Sequence, residues 1–313
     1  MTDLMSGSIS YTPSIVADQL IANIVANQSQ QATLEQQIST GNAINAPSDN
    51  PAGAADILQV NAGLARAQQY AANATDGLGW LSLGNSTMNQ VLSALQSAQQ
   101  AVLSVSSANL TGSSAALQGL ATQVDSVRQQ LTQLANTQYG GQAIFAGTGN
   151  VSAAYDSSGN YVGGGAAPTR TVASGEQIPV SVTGPAVFGT GTTGLLSTTP
   201  GSLGVLAQIS ADLRAGTPAA LNQVMTTDLQ NLQNAMSQVE GQAAVLGANY
   251  QRMQSFQQQA TNAQQALQSE LSGIQSTNLP QAITQLGQVQ NSYQAALWAA
   301  SKVTQDSLVQ FLG

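Results

Sequence analysis

Apolar residues recur at alternating steps of four and three from Met225 through Leu229, Leu232, Met236, Val239, Ala243, Leu246, Tyr250 and Met253 to Ala260, Leu267, Leu271 and Ile274, with polar interruptions only at Gln257 and Gln264. A repeat of 3.5 residues keeps one seam facing a partner helix. The spacing therefore predicts one long helix, about 75 Å from end to end at 1.5 Å per residue. That is an elongated bundle rather than a compact globule, with Leu232, Val239, Leu246 and Met253 as its core.

Two further stripes supply partners. One runs through Leu78, Leu81, Met88, Leu92, Leu95 and Val102, the other through Leu117, Leu120, Val124, Val127, Leu131 and Leu134. The stretch Ala108–Ser114 between them contains Gly112, Ser113 and Ser114, a stop followed by a fresh cap. The chain ends carry weaker seams, Ala17, Leu20, Ile24, Asn27, Gln31, Leu34 and Ile38 at one and Leu279, Ile283, Leu286, Gln290, Tyr293, Leu297, Ala300 and Phe311 at the other. Their polar interruptions make each unstable alone. Leu34, Ile38, Leu286, Tyr293, Leu297 and Phe311 are accordingly expected to meet neighbouring subunits.

Between Gly147 and Gly204 the helical period vanishes and Gly, Thr, Ser and Pro dominate. Tyr155–Tyr161 reads as strand, turn and strand around Gly159, and Thr169–Val172 and Ile178–Val182 as two more strands. So small a β region should lean on the helices for its core. The expected organisation is mainly α: a terminal coiled-coil assembly part (1–45 with 276–313), a helical rod (46–146 with 205–275) and a β-rich outer insertion (147–204).

Composition then removes whole classes of function. Charged residues make up 6% of the chain against roughly 25% in an ordinary domain, and the net charge is −8. Six cations scattered singly cannot displace counterions from a nucleic acid. Cys and His are absent, which excludes disulfides, thiolate chemistry, zinc sites and histidine acid–base catalysis. No stretch is apolar enough for a membrane span, and the first residues lack the basic and apolar regions of a secretory leader. Gly189–Gly194 spells G-x-G-x-x-G, but the following Leu-Leu-Ser-Thr-Thr-Pro-Gly opens no helix that could receive a pyrophosphate. Asp156–Asn160 is a hairpin turn rather than a calcium loop, since no Glu closes it. Asp49, Asp56 and Asp76 have no paired acid, and Asp49 reads as part of a loop or cap. The chain is expected not to be an enzyme and to need no cofactor.

The string from Gln37 to Ala55, Q-I-S-T-G-N-A-I-N-A-P-S-D-N-P-A-G-A-A, resembles the bacterial flagellin superfamily, as do Gln288–Tyr293 and Asp306–Leu312. Asn136–Thr148, with Y-x-G-x-x-x-F-x-G-T, is similar to the hook-associated junction branch of that family, as is the stretch from Arg170 to Gly189. The resemblance implies a structural adaptor, extracellular on the flagellum and exported unfolded through the flagellar channel. Its implied partners are further copies of itself in a ring, the hook-side junction protein, flagellin and an export chaperone. Free in solution, residues 1 to about 45 and 276–313 are expected to be mobile and to order when neighbouring subunits bury Leu34, Ile38, Leu297 and Phe311. Bulk flagellin is the second reading, and a secreted coiled-coil effector or adhesin the third.

Overall fold

A computed structural model describes residues 13–107, 114–149 and 151–312, with side chains over 18–105, 114–149 and 151–302. The elements are α1 (Pro13–Thr40), α2 (Pro51–Ser107), α3 (Ser114–Ala135), β1 (Gln138–Tyr139), β2 (Gln142–Ala143), β3 (Thr169–Ala173), β4 (Glu176–Pro179), α4 (Gly184–Phe188), β5 (Thr198–Thr199), β6 (Ser202–Leu203), α5 (Val205–Ala215), α6 (Pro218–Gln223), α7 (Leu229–Gln275) and α8 (Leu279–Leu312). They form two compact units: residues up to Ala65 with those from Gln265 onward, and Arg66–Gln264.

In the unit 66–264, α2 and α7 run antiparallel. Gln264 Nε2 donates to the Ala67 carbonyl at 3.1 Å and Gln257 Nε2 to Thr75 Oγ1 at 2.9 Å. The seam is a pair of seven-residue ladders: Ala74, Leu81, Met88, Leu95 and Val102 on α2, and Leu232, Val239, Leu246, Met253 and Ala260 on α7, all buried. The intervening positions of the α7 period, Leu229, Met236, Ala243 and Tyr250, are only partly buried against the same core. Two glycines on α2 admit the α7 side chains. A Cβ at Gly77 would lie 2.5 Å from Met253 Cε, and one at Gly84 3.3 Å from Leu246 Cδ1.

The expected break after α2 lies partly outside the described residues; α2 ends at Ser107 and α3 starts at Ser114. The α3 stripe buries Leu117, Val124, Val127 and Leu131, and α3 packs on α5. Neither α5 nor α6 was anticipated as a separate helix, although Val205, Leu206, Ile209 and Leu213 sit at helical spacing and are all buried. Their junction has clear punctuation. Gly216 closes α5 at φ 60°, the Thr217 side chain accepts from the Ala220 N–H, and Pro218 opens α6. The long helix begins at Leu229 rather than Met225, because residues 224–228 wind as a π turn that buries Val224 and Asp228.

The β region contributes to the helical core instead of building its own. Phe145, Ile178, Phe188 and Leu196 belong to the same buried cluster as Leu81 and Leu246. β1 and β2 form a hairpin whose turn residues, Gly140 and Gly141, both have positive φ (57° and 85°), as a two-residue hairpin loop requires. That hairpin brings Tyr139 to 5.2 Å from Trp80, and Phe145 packs edge-on against Phe188. Asn136 ties the end of α3 to the following loop: its Oδ1 accepts from the N–H groups of Ala154 and Tyr155 at 2.8 Å each, and its Nδ2 donates to the Tyr155 carbonyl at 2.9 Å. The expected strands are present with shifted ends. β3 pairs with β4 at Arg170↔Ile178, and the Tyr155–Tyr161 strands reduce to one antiparallel bridge around Gly159. The G-x-G-x-x-G stretch holds a 3-10 turn at Gly191–Thr193, and the next helix opens only at Val205.

Three cations that stand alone in sequence find acids across the fold. Arg170 Nε meets Asp76 Oδ2 at 2.6 Å while its guanidinium lies 5.8 Å from the Trp80 ring. Arg214 pairs with Asp125, and Arg252 with Glu176 at 3.9 Å.

Candidate functional site

The unit formed by the two chain ends contains the motif 37–55. Gly41 takes φ 73° to end α1, and the chain then pairs briefly with the α7–α8 turn. The Ala43 N–H donates to the Gln275 carbonyl at 2.7 Å, the Thr277 N–H to the Gly41 carbonyl at 2.9 Å, and Asn42 bridges Ser276. Asp49 Oδ2 accepts from the N–H groups of Asn45 (3.0 Å) and Ala46 (2.8 Å), and Asn50 Oδ1 caps α2 by accepting from the Gly53 N–H at 3.0 Å. Gly53 lets Ile44 fold over that cap, since a Cβ there would lie 2.5 Å from Ile44 Cδ1. The carboxylate and amide of this string are occupied in building a turn. Among the described residues no three acids, histidines or cysteines gather as a metal site, and no helix is long and apolar enough to cross a membrane.

Because α1 ends where α8 begins, the two pack as antiparallel neighbours. Leu34, Ala282 and Val289 form the centre of the contact, with Ile38 and Leu286 partly buried against it. On α1 the positions facing inward, Leu20, Ile24, Asn27, Gln31, Leu34 and Ile38, are the seam read from sequence. On α8 the inward face is displaced: Ala282 and Val289 face α1, whereas Leu279, Ile283 and Leu297 of the sequence seam remain 43%, 57% and 44% exposed.

Of the six residues expected at subunit contacts, Leu34, Ile38 and Leu286 therefore lie in the α1–α8 contact of the chain itself. Tyr293 is half-buried and Leu297 exposed. The side chain of Phe311 lies outside the described residues. The four rod-core residues, Leu232, Val239, Leu246 and Met253, come together in the other unit, each with no exposed surface.

Apolar side chains one position beyond the seam complete an open face. Trp298 is 75% exposed, and Ile21 and Val25 are 59% and 58% exposed. Each of these three follows a seam residue, Leu297, Leu20 and Ile24 respectively. A two-position seam template discards such flanking positions, so the signal in the sequence was a second apolar edge one residue beyond the seam. No charged residue stands between Gln19 and Leu34 or between Leu279 and Ser301. A helix pair with an apolar, uncharged outer edge can dock on another helix without burying an unpaired charge.

Residues 13–150 match the bacterial flagellin N-terminal helical region. The chain is 32% identical over 173 residues to flagellar hook-associated protein 3 of Salmonella typhimurium, an alignment covering 55% of this chain and 54% of that protein. The matched stretch is thus about half to three fifths of the length of the curated relatives. Among solved structures, a putative flagellar hook-associated protein from Vibrio parahaemolyticus superposes with a TM-score of 0.61 at 21% identity, over 73% of this chain and all of that one. The flagellar junction protein FlgL from Legionella pneumophila superposes with a TM-score of 0.53 at 14% identity, over 72% of this chain and all of that one. At those identities the likeness is one of fold.

Proposed function

We propose that this chain, whose residues 13–150 match the bacterial flagellin N-terminal helical region, is a structural subunit of the flagellum that joins the hook side to the flagellin filament. The observation that carries the reading is the uncovered apolar edge of the terminal helix pair, with Trp298, Ile21, Val25, Ile283 and Leu297 held in water by a monomer. Burying a side chain of this kind contributes about 1.5–3 kcal/mol, and tryptophan is enriched among residues that dominate interfaces. Neighbouring subunits offering the same helices would supply that burial. Leu34, Ile38 and Leu286 hold α1 to α8 and so present the edge; Tyr293 and Leu297 meet the neighbour, with Phe311 continuing their seam.

Two features favour a junction role over bulk filament. The Asn136–Thr148 string, which resembles the junction branch in sequence, shapes the β1–β2 hairpin and seats Phe145. The relative from Salmonella typhimurium also carries a hook-associated name. On this reading the protein is extracellular and non-enzymatic. Its partners are copies of itself, the hook-side protein, flagellin and an export chaperone, and the terminal segments serve assembly while the middle of the chain forms the subunit body.

The test is a pair of surface variants, Trp298→Asp and Leu297→Asp, produced in a strain lacking the native copy. Because both side chains stand mostly or half in water, the purified variants should melt within a degree or two of the parent. They should fail to enter flagella. Normal incorporation of both variants would remove this edge from the interface.

A further inference from the structure

The middle unit buries one acid without a counter-ion. Asp228 lies in the π turn that precedes α7 and is 3% exposed; no described donor reaches its Oδ2, which is shut away from water. Burial above all pushes its carboxyl up to about 7 from an ordinary value of 3.8. A buried carboxylate is costly unless a positive charge stands beside it.

The surrounding elements supply none. On α5 the one cation, Arg214, is turned to Ser210 and to Asp125 on α3. The other cation of α3, Arg128, lines a different groove with Gln129 and Thr132. Asp212, the acid of α5, adds a further negative charge and accepts from Gln208 Nε2 at 2.8 Å. Residues 218–223 of α6, the 3-10 turn 191–193, β6 and the first turns of α7 carry no charged side chain.

Asp228 lines a groove of about 370 Å³, within the roughly 300–1,000 Å³ usual for small-ligand sites and far more than a single ion fills. Thr192, Gln223, Thr227 and Asn231 stand open to water along it, Gln208 is half-buried, and Leu203 and Val205 add an apolar wall. The lining is thus hydroxyl and amide oxygens around one acid. A divalent metal ion wants more carboxylates than that, and among the described residues no three acids gather. A guanidinium fork wants both oxygens of a carboxylate at once, and Oδ2 is shut away. An ammonium group is compact. Its three donors can reach one carboxylate oxygen and the neighbouring amide or hydroxyl oxygens, while an alkyl stem lies on Leu203 and Val205.

We propose that this groove is a binding site for a primary alkylammonium group seated on Asp228, carried by a free amine or by a lysine side chain of another protein. The inference does not rest on the flagellar reading.

The experiment is an amide-resolved NMR titration of the full chain at pH 8, where Asp228 is mostly ionised, with butylammonium as the probe. The amides of Gln208, Gln223, Thr227 and Asn231 should shift together and saturate. Asp228→Asn keeps the shape and removes the charge, and should weaken binding at least about tenfold. Asn231→Ala, on the open rim, should weaken it a few-fold without changing the melting temperature, and serves as the test if the first variant does not fold. Tetramethylammonium, with the same charge and no N–H donor, should leave these amides in place. Tighter binding of a lysine tripeptide blocked at both ends than of butylammonium would assign the occupant to a protein side chain; binding no tighter would assign it to a free amine. Absence of a saturable shift, undiminished binding in Asp228→Asn, or an equal response to tetramethylammonium would overturn the proposal. So would displacement of butylammonium by an equal concentration of calcium or magnesium, since the groove would then be a metal site.

Discussion

Leu246 shows how a single position in this chain combines pattern and contact. It is the middle rung of the seven-residue ladder on α7, fully buried, and it fits where Gly84 on α2 has no Cβ. Leu246→Ala removes three carbons from a site that backbone packing keeps from collapsing, so a loss of about 2–5 kcal/mol is expected in urea unfolding. Leu246→Asp would bury an unpaired charge at the same place and should leave the middle unit unfolded at room temperature. At the surface the logic reverses. Trp298 is 75% exposed, so its replacement by a polar residue is expected to change the monomer's stability little and to be felt only where a neighbour covers it. Asp228 is a third kind of position, a buried acid in the π turn whose Oδ2 has no hydrogen-bond partner among the described groups.

At the level of elements, α1 and α8 depend on each other. Their contact has three buried apolar residues at its centre, Leu34, Ala282 and Val289, against the long ladders of α2 and α7. Leu34→Asp should therefore release amide protection along α1 and α8 in hydrogen exchange while the amides between Leu81 and Leu95 stay protected. Equal loss in both regions would show that the terminal pair is not a separate cooperative element. The long helices were legible in sequence because a 3.5-residue period over many turns has few other solutions, and the inward stripe of α1 was read position by position. The α8 stripe is right at Leu286, Tyr293 and Ala300 but not at its alternate positions, because Ala282 is a weak apolar signal beside the larger Ile283, which the chain leaves in water. α5 and α6 were passed over because each is short and their evidence is punctuation, Gly216-Thr217-Pro218, more than period. The π turn had no local signal: Val224 and Asp228 are buried there only once the segment packs against α5. The ion pairs of Arg170, Arg214 and Arg252 were hidden for the same reason, each joining residues far apart in the chain.

For the molecule as a whole, scarcity of charge is the common thread. With 6% charged residues, the helix surfaces are finished by amides instead, as in the Gln69–Asn73, Gln230–Asn234 and Gln258–Asn262 hydrogen bonds one turn apart. Such faces stay in water without repelling an identical face brought alongside. The middle unit puts most of its large apolar residues into one core and leaves out Leu103, Val162 and Val245, whereas the smaller terminal unit leaves Ile21, Val25, Leu58, Leu279, Ile283, Leu297 and Trp298 exposed, the division expected of a subunit whose ends bind its neighbours. The central claim is that these neighbours lie at one level of the flagellum, the boundary between hook and filament. Immunogold electron microscopy of intact flagella, with antibody raised against residues 147–204 and binding first verified on the purified protein, tests it most directly. A narrow band of gold at the hook boundary is the predicted result; gold along the whole filament, or none on flagella at all, would contradict it.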